Sequence, residues 1–436
     1  MSETVLIRGG SVVTRHGLVR GDVIVADGRV SELGEVLDAP AGATVIDADG
    51  AWVGPGFVDL HAHLREPGRE EAETIESGAA AAALGGYTAI LAMPNTEPTI
   101  DSTALATYVI ERGRRAVIDV VPTGAITVGR LGTQMAPIAE MAEIGVRLFT
   151  DDGTGVQDPS MMRRALTYAK PLGVRLAQHC EDEALAALGS MNEGALSSRL
   201  GLLGRPALAE ELMVLRDVEL VRLTGGAMHF LHLSTARSLQ MVALAKAEGL
   251  NVTCEVAPHH FTLDEELCAS FDPLFKVHPP LRGVSDVVAL RSALLGSVID
   301  AVATDHAPHA EQLKELPFDE APPGMLGLEH AAALTHEALG ADQPVRLFEL
   351  LSRGPAAVAQ LRAEDHPRIS GEHGGVLEVG SHANIVVFDP QVSWRVDARQ
   401  LASRSTNTPY EGREMRGRVR ATIVAGHVVV ANEELQ

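Results

Sequence analysis

Nowhere in its 436 residues does the chain carry eighteen uninterrupted apolar residues, so no membrane span is expected. Cysteine is scarce. Cys180, Cys254 and Cys268 lie scattered, form no paired framework, and fit a reducing cytoplasm rather than a disulfide scaffold. The opening MSETVLIRGG lacks the basic end and apolar core of a secretory signal, so a cytoplasmic location is the expectation. Positive charge is also short: 36 Lys and Arg stand against 58 Asp and Glu, a formal charge of -22. Phosphate binding needs clustered cations, which counts against a nucleic-acid partner; acidity alone is a solubility feature. No G-x-G-x-x-G follows the first strand of the chain's central region, which weakens a doubly wound dinucleotide-binding sheet.

What is present divides the chain in three. Residues 1–54 read as short strands and tight turns (VLIRGGSVV, GDVIVADGRVSELG, TVIDADGAWV), with Asp27-Gly28 a strong hairpin signal. Residues 371–436 read alike, with HANIVVFDP and VRATIVAGHVVV turning at Ala425-Gly426. Neither flank alone has enough strand to bury a core, so the two are expected to pair into one small β-sandwich. Between them, in 55–370, short apolar runs alternate with helical stretches such as EEAETIESGAAAAALGG and STARSLQMVALAKAEG. The runs are 56–63, 87–95, 117–125, 146–152, 174–180, 228–234, 251–260 and 298–309. Eight such units in about 300 residues predict a (β/α)8 barrel.

Polar residues gather where these strands end. The first ends His61-Ala62-His63, the fourth Asp151-Asp152, the fifth His179 and the eighth Asp305-His306, while His232 lies near the end of the sixth. A barrel opens the C-terminal ends of all its strands on one face, where active sites are built. Residues two apart share a side of a strand, so His61 and His63 can face one ion. Each residue alone has an ordinary reading. A strand histidine is commonly a hydrogen-bonded structural residue, H-x-H is a weak signal, and Asp-Asp-Gly is a common turn. Convergence decides, because chance would scatter the seventeen histidines. Imidazole and carboxylate suit zinc and related ions. Six ligands exceed the three or so of a single catalytic zinc, so two metals sharing a carboxylate and a hydroxide are expected, machinery for hydrolysing an unactivated amide.

GFVDLHAHLREPG (56–68), MPN (93–95), KVHPPLR (276–282) and DHAPH (305–309) closely resemble the class I dihydroorotases of the amidohydrolase superfamily. The likeness spans essentially the whole chain. It implies one zinc on His61, His63 and Asp305, a second on His179 and His232, and Asp152 bridging them. Asp305 is implied as the catalytic acid–base, passing a proton to the departing ring nitrogen. The implied substrate contacts are His63, Arg65, Asn95, His278, His309 and the backbone at Pro323-Gly324, with Arg65 able to grip a carboxylate two-pronged. The run 309–324 is expected to be an active-site loop. Position 278 departs from the family, which has Asn there; a histidine is expected to add a titratable positive charge that attracts the anionic substrate.

The resemblance further implies a small-molecule substrate, N-carbamoyl-L-aspartate or dihydroorotate, a homodimer, and association with aspartate transcarbamoylase. Hydantoinases and allantoinases are the alternative, yet many use a carbamylated lysine where this chain has Asp152. A non-catalytic partner of the transcarbamoylase is the other, and such proteins typically lose ligands that are all present here. His259 and His260 are expected to hold no metal, His306 to point away from Asp305 on a regular strand, and Cys180 to be a small buried residue.

Overall fold

A computed structural model describes residues 4–340, 343–361 and 369–436. All eight apolar runs form strands, at Phe57–Ala62, Tyr87–Ala92, Asp119–Pro122, Leu148–Thr150, Arg175–Gln178, Met228–Phe230, Val252–Val256 and Ala301–Val302. Every pairing among them is parallel. Two bridges close the ring, Gly124 to Phe149 between the third and fourth strands and Ala62 to His306 between the eighth and first. The strands are shorter than their apolar runs because the polar ends leave the ladder to build the mouth.

Strands covered on both faces read as nearly continuous apolar runs, and these have two separate packing surfaces. Leu91, Val121, Leu148, Ala177 and Leu231 meet inside the barrel, where Val358 and Leu361 close one end. Their neighbours Ile90, Val120, Phe149, Leu176 and Phe230 pack outward into the shell of helices. The helix Ile75–Leu84 starts at Thr74, whose hydroxyl caps it through Ser77, and Ala236–Ala247 starts likewise at Thr235.

The two flanks form one nine-stranded sheet joined where Trp52–Pro55 runs antiparallel to Ile385–Phe388. Alternation sorts its faces. Ile385 and Val387 enter the sheet's own core with Val5, Val23 and Ile423, whereas Val386, Phe388 and Trp52 lie against the barrel. Both expected hairpins are present, with left-handed residues Asp27 (φ 52°), Gly28 (74°), Ala425 (49°) and Gly426 (84°). The two turns touch: a Cβ on Gly426 would stand 2.7 Å from the Gly28 Cα. The expected division at residue 54 falls inside the strand Trp52–Pro55, because the sheet hands the chain directly to the first barrel strand. The division at 370 follows residues 362–368, which lie outside the described residues.

Candidate metal centre

His61 is the last residue but one of the first barrel strand, its side chain fully buried, and His63 follows two residues on. After the fourth strand the two aspartates divide their work. Asp151 accepts the N–H groups of Ile126 and Thr127 at 2.9 and 3.0 Å, and the Thr127 hydroxyl as well, so it fastens the turn. Asp152 is thereby aimed inward. Its Oδ1 lies 3.4 Å from His61 Nε2, 3.4 Å from His179 Nδ1 and 3.5 Å from His232 Nε2, and its Oδ2 lies 3.6 Å from His63 Nε2. Asp305 Oδ1 stands 3.2 Å from His63 Nε2 and 3.6 Å from His61 Nε2. Two triads able to hold an ion result, His61–His63–Asp152 and Asp152–His179–His232, sharing Asp152.

The donor set fits a divalent metal ion. His61 Nε2 and Asp152 Oδ1 are buried without a hydrogen-bond partner, and they face each other. His179 Nδ1 and His232 Nε2 are 3.0 Å apart and both turn to Asp152. Burial resists charge on His61, yet Asp152, Glu255 and Asp305 outweigh it and raise its pKa well above the ordinary value. His179 is raised to about 9, Asp152 prevailing over burial. Burial opposes ionisation of Asp152 too, but His61, His179 and His232 hold its carboxyl well below the usual range. The carboxylates draw protons onto His61 and His179, while burial holds His63 below its ordinary value; around the two raised rings the pocket is short of positive charge, which a cation supplies.

The outward nitrogens are tied down. His61 Nδ1 meets Glu255 Oε1 at 2.9 Å and His63 Nδ1 meets Asn95 Oδ1 at 2.9 Å, which leaves both Nε2 lone pairs for the centre. His179 is reversed: its Nε2 lies 3.4 Å from Glu181 Oε2, itself 2.5 Å from Arg205, and Nδ1 points inward. His232 (φ 29°) and Asp305 (φ 48°) hold left-handed backbone conformations. Asp305 thus breaks the regular strand on which the reading of His306 relied. His306 is nevertheless directed elsewhere, to Glu73 at 3.3 Å. His259, for which no role was expected, sits with its Nε2 3.9 Å from Asp305 Oδ2. Cys180 is buried with its thiol on the Gln178 carbonyl.

An open cavity of about 210 Å³ lies over this cluster, and Arg65, Asn95, His278, His309, Pro323 and Gly324 line it with the ligands. Arg65 (φ 60°) anchors its Nε on the Pro308 carbonyl at 3.0 Å. Burial and then Arg69 lower its pKa to about 10, leaving it a cation, and among the described residues no carboxylate pairs with it. His309 donates from Nε2 to the Pro323 carbonyl at 2.8 Å. Asn407 holds the loop from beneath, accepting from the His309 N–H at 3.0 Å and donating to the Ala307 and Gly324 carbonyls. Gly324 (φ 131°) has no room for a side chain, since a Cβ would meet Ala307 Cβ at 2.6 Å.

The expected charge on His278 is overturned. Burial, followed by Arg205, pushes its pKa down to about 3, so the imidazole in the cavity wall is neutral near pH 7. Glu255, Glu181, His229 and Asn407 escaped the sequence reading. For Glu255 a signal existed, a carboxylate in the middle of the apolar strand Val252–Val256.

A family model described as dihydro-orotase-like matches residues 50–238. The chain is 45% identical over 440 residues to a dihydroorotase of Mycobacterium tuberculosis, covering 99% of this chain and 100% of that one. A dihydroorotase of Pelotomaculum thermopropionicum is 43% identical, with 99% of each chain covered. The chain belongs to the dihydroorotase family. Among solved structures, an L-hydantoinase from Arthrobacter aurescens superposes with a TM-score of 0.87 over 100% of this chain and 98% of its own. At 24% identity that likeness shows the fold, a barrel with a β-sandwich. A D-hydantoinase from Bacillus sp. AR9 is 27% identical with a TM-score of 0.83, covering 99% of this chain and 96% of that one. The family's fold is therefore shared with hydantoinases, and the assignment rests on the dihydroorotase relatives.

Proposed function

We propose that the protein is a dihydroorotase, reversibly closing N-carbamoyl-L-aspartate to (S)-dihydroorotate and water in pyrimidine biosynthesis. The observation that carries the reading is a half-buried Arg65, with no ion pair among the described residues, sharing one cavity with the His/Asp cluster. A cyclic amide bearing a carboxylate answers both halves of that cavity. In this reading the cofactor is zinc: His61, His63 and Asp305 would hold one ion, His179 and His232 a second, and Asp152 would be the ligand common to the two sets. Bound there, zinc supplies a Lewis acid for the amide carbonyl and lowers the pKa of water.

The chain's own groups do the rest. Arg65 binds the ring carboxylate, with the Asn95 amide, His309 and the Pro323-Gly324 backbone fixing its orientation, and His278 forms a neutral wall. Asp305 is kept ionised, the neighbouring His63 and His61 overcoming the effect of burial. It takes a proton from the attacking water and delivers it to the departing ring nitrogen; cyclisation runs the transfer backwards. The partners in this reading are a second copy of the chain and aspartate transcarbamoylase, in the cytoplasm; no described helix is long and apolar enough to cross a membrane.

The test is a turnover assay offering dihydroorotate, hydantoin and allantoin side by side, with and without a chelator. Dihydroorotate should be cleaved fastest, and chelation should stop it. Preference for hydantoin or allantoin would replace this reading with that of a general cyclic amidase.

A further inference from the structure

A line of hydrogen-bonded polar side chains runs through the interior of the barrel and ends at His61. It begins with Arg175, at the start of the fifth strand, whose Nη1 lies 3.3 Å from Thr253 Oγ1. Thr253 Oγ1 is 2.8 Å from His229 Nδ1, and His229 Nε2 is 3.0 Å from Glu255 Oε2. Glu255 Oε1 closes the line on His61 Nδ1 at 2.9 Å. Thr253 and Glu255 are two apart on one strand and share its inner side, while Cys254 and Val256 face the helices. His229 and Glu255 are fully buried. A carboxylate and an imidazole in a barrel core are costly unless every bond is made, and no buried atom of His229, Glu255 or Thr253 lacks a partner.

Direction follows from both ends. A guanidinium only donates and an ionised carboxylate only accepts, so Arg175 donates to Thr253 and His229 Nε2 donates to Glu255, which leaves His229 Nδ1 to accept the proton of Thr253. The remaining Glu255 oxygen accepts the proton of His61 Nδ1, and His61 Nε2 is left as a lone pair facing Asp152.

We propose that Glu255 is a positioning residue for metal binding, and that His229, Thr253 and Arg175 act through it to set the tautomer, ring angle and donor strength of His61. The inference rests on the metal reading of the cluster. The Glu255 carboxylate makes His61 Nε2 a better electron donor, and its second bond, to His229, stops it from turning away. Among the described residues, no other inward-facing imidazole is braced by a carboxylate that is itself held from deeper in the barrel. Glu181, behind His179, is held instead by Arg205.

The experiment measures metal dissociation constants by chelator competition in the full-length protein, for the parent, Glu255→Gln, Thr253→Val and Thr253→Ser. Loss of such a partner costs about 10–100-fold in metal affinity, which is the expectation for Glu255→Gln. Thr253→Val should give a smaller loss in the same direction, and Thr253→Ser, which keeps the hydroxyl, should restore the parent value. KM for dihydroorotate in metal-saturated enzyme should stay within about twofold, whereas damage to the whole site would move KM as well. Thermal unfolding of the chelated proteins separates lost folding from lost affinity, and should Glu255→Gln not fold, the threonine pair decides alone. Parent-like metal affinity in Glu255→Gln, or in Thr253→Val if that protein alone is available, overturns the inference. A parent protein that holds no metal overturns the metal reading itself.

Discussion

The barrel mouth and the terminal sheet both depend on residues with left-handed backbone, but for opposite reasons. In the sheet, Asp27-Gly28 and Ala425-Gly426 reverse the chain, and the turn type itself requires positive φ. At the mouth, Arg65, His232 and Asp305 adopt it where no hairpin turns, and each places its side chain in the cavity. Left-handed backbone costs a non-glycine residue about 1–2 kcal/mol, which surrounding structure must offset. The barrel offsets it with packing, and with anchors such as the Glu210 carboxylate, which accepts from the Ser234 and Thr235 N–H groups just beyond His232. Strain in the sheet therefore serves chain direction. Strain at the mouth serves chemistry.

Variants on the two sides should separate cleanly. The largest effect is expected from His61→Ala combined with His63→Ala, which removes two inward nitrogens and should abolish turnover and at least half the bound metal. Full metal content by elemental analysis would break the assignment. Asp305→Asn keeps the shape but loses the basic oxygen, so kcat should fall by roughly 10²–10⁴, with KM less affected. A near-normal kcat at full metal would move the proton transfer to another group, such as His259, whose Nε2 stands 3.9 Å from Asp305 Oδ2.

On the sheet side, Gly426→Ala forces a side chain into left-handed backbone against Gly28. It should lower unfolding free energy by about 1–2 kcal/mol in denaturant titration and leave kcat unchanged. A matching loss of kcat would mean that sheet and mouth are coupled.

The smallest effect is expected from His278→Asn. With its pKa down to about 3, His278 is neutral at the mouth throughout pH 5.5–8.5, so the kcat/KM profiles of parent and variant should run parallel. The effect belongs to stability. The unfolded chain protonates this histidine below about 6.5 while the folded one does not, so the parent loses stability as pH falls from there towards 3. His278→Asn should lack that loss and gain on the order of 1 kcal/mol over the parent between pH 7 and pH 5. Diverging activity profiles would restore the charged reading of His278.

The strands were legible because residues buried on both faces leave dense apolar runs, and the ligand set because polar residues interrupt those runs at one end only. Less legible was anything that acts by position rather than by type. Glu255 stands within a strand, and only the barrel's closure brings it to His61, 194 residues away in sequence. Asn407 belongs to the segment before the last strands, yet supports a loop a hundred residues earlier. His278 was identified as a wall residue but misjudged as a cation, since burial is a property of the folded surroundings. His306 was dismissed on a strand regularity that Asp305 does not keep.

The joining of Trp52–Pro55 to Ile385–Phe388 also sets a timetable for biosynthesis. Some 330 residues separate the two partners, and at roughly 5–20 residues per second the ribosome needs about 16–66 s to make them. For that interval the first strands emerge with a bare edge, their apolar rows open to any other extended chain. A sheet begun by Trp52–Pro55 is thus completed only when Ile385–Phe388 has been made, and until then the edge that receives it stays open.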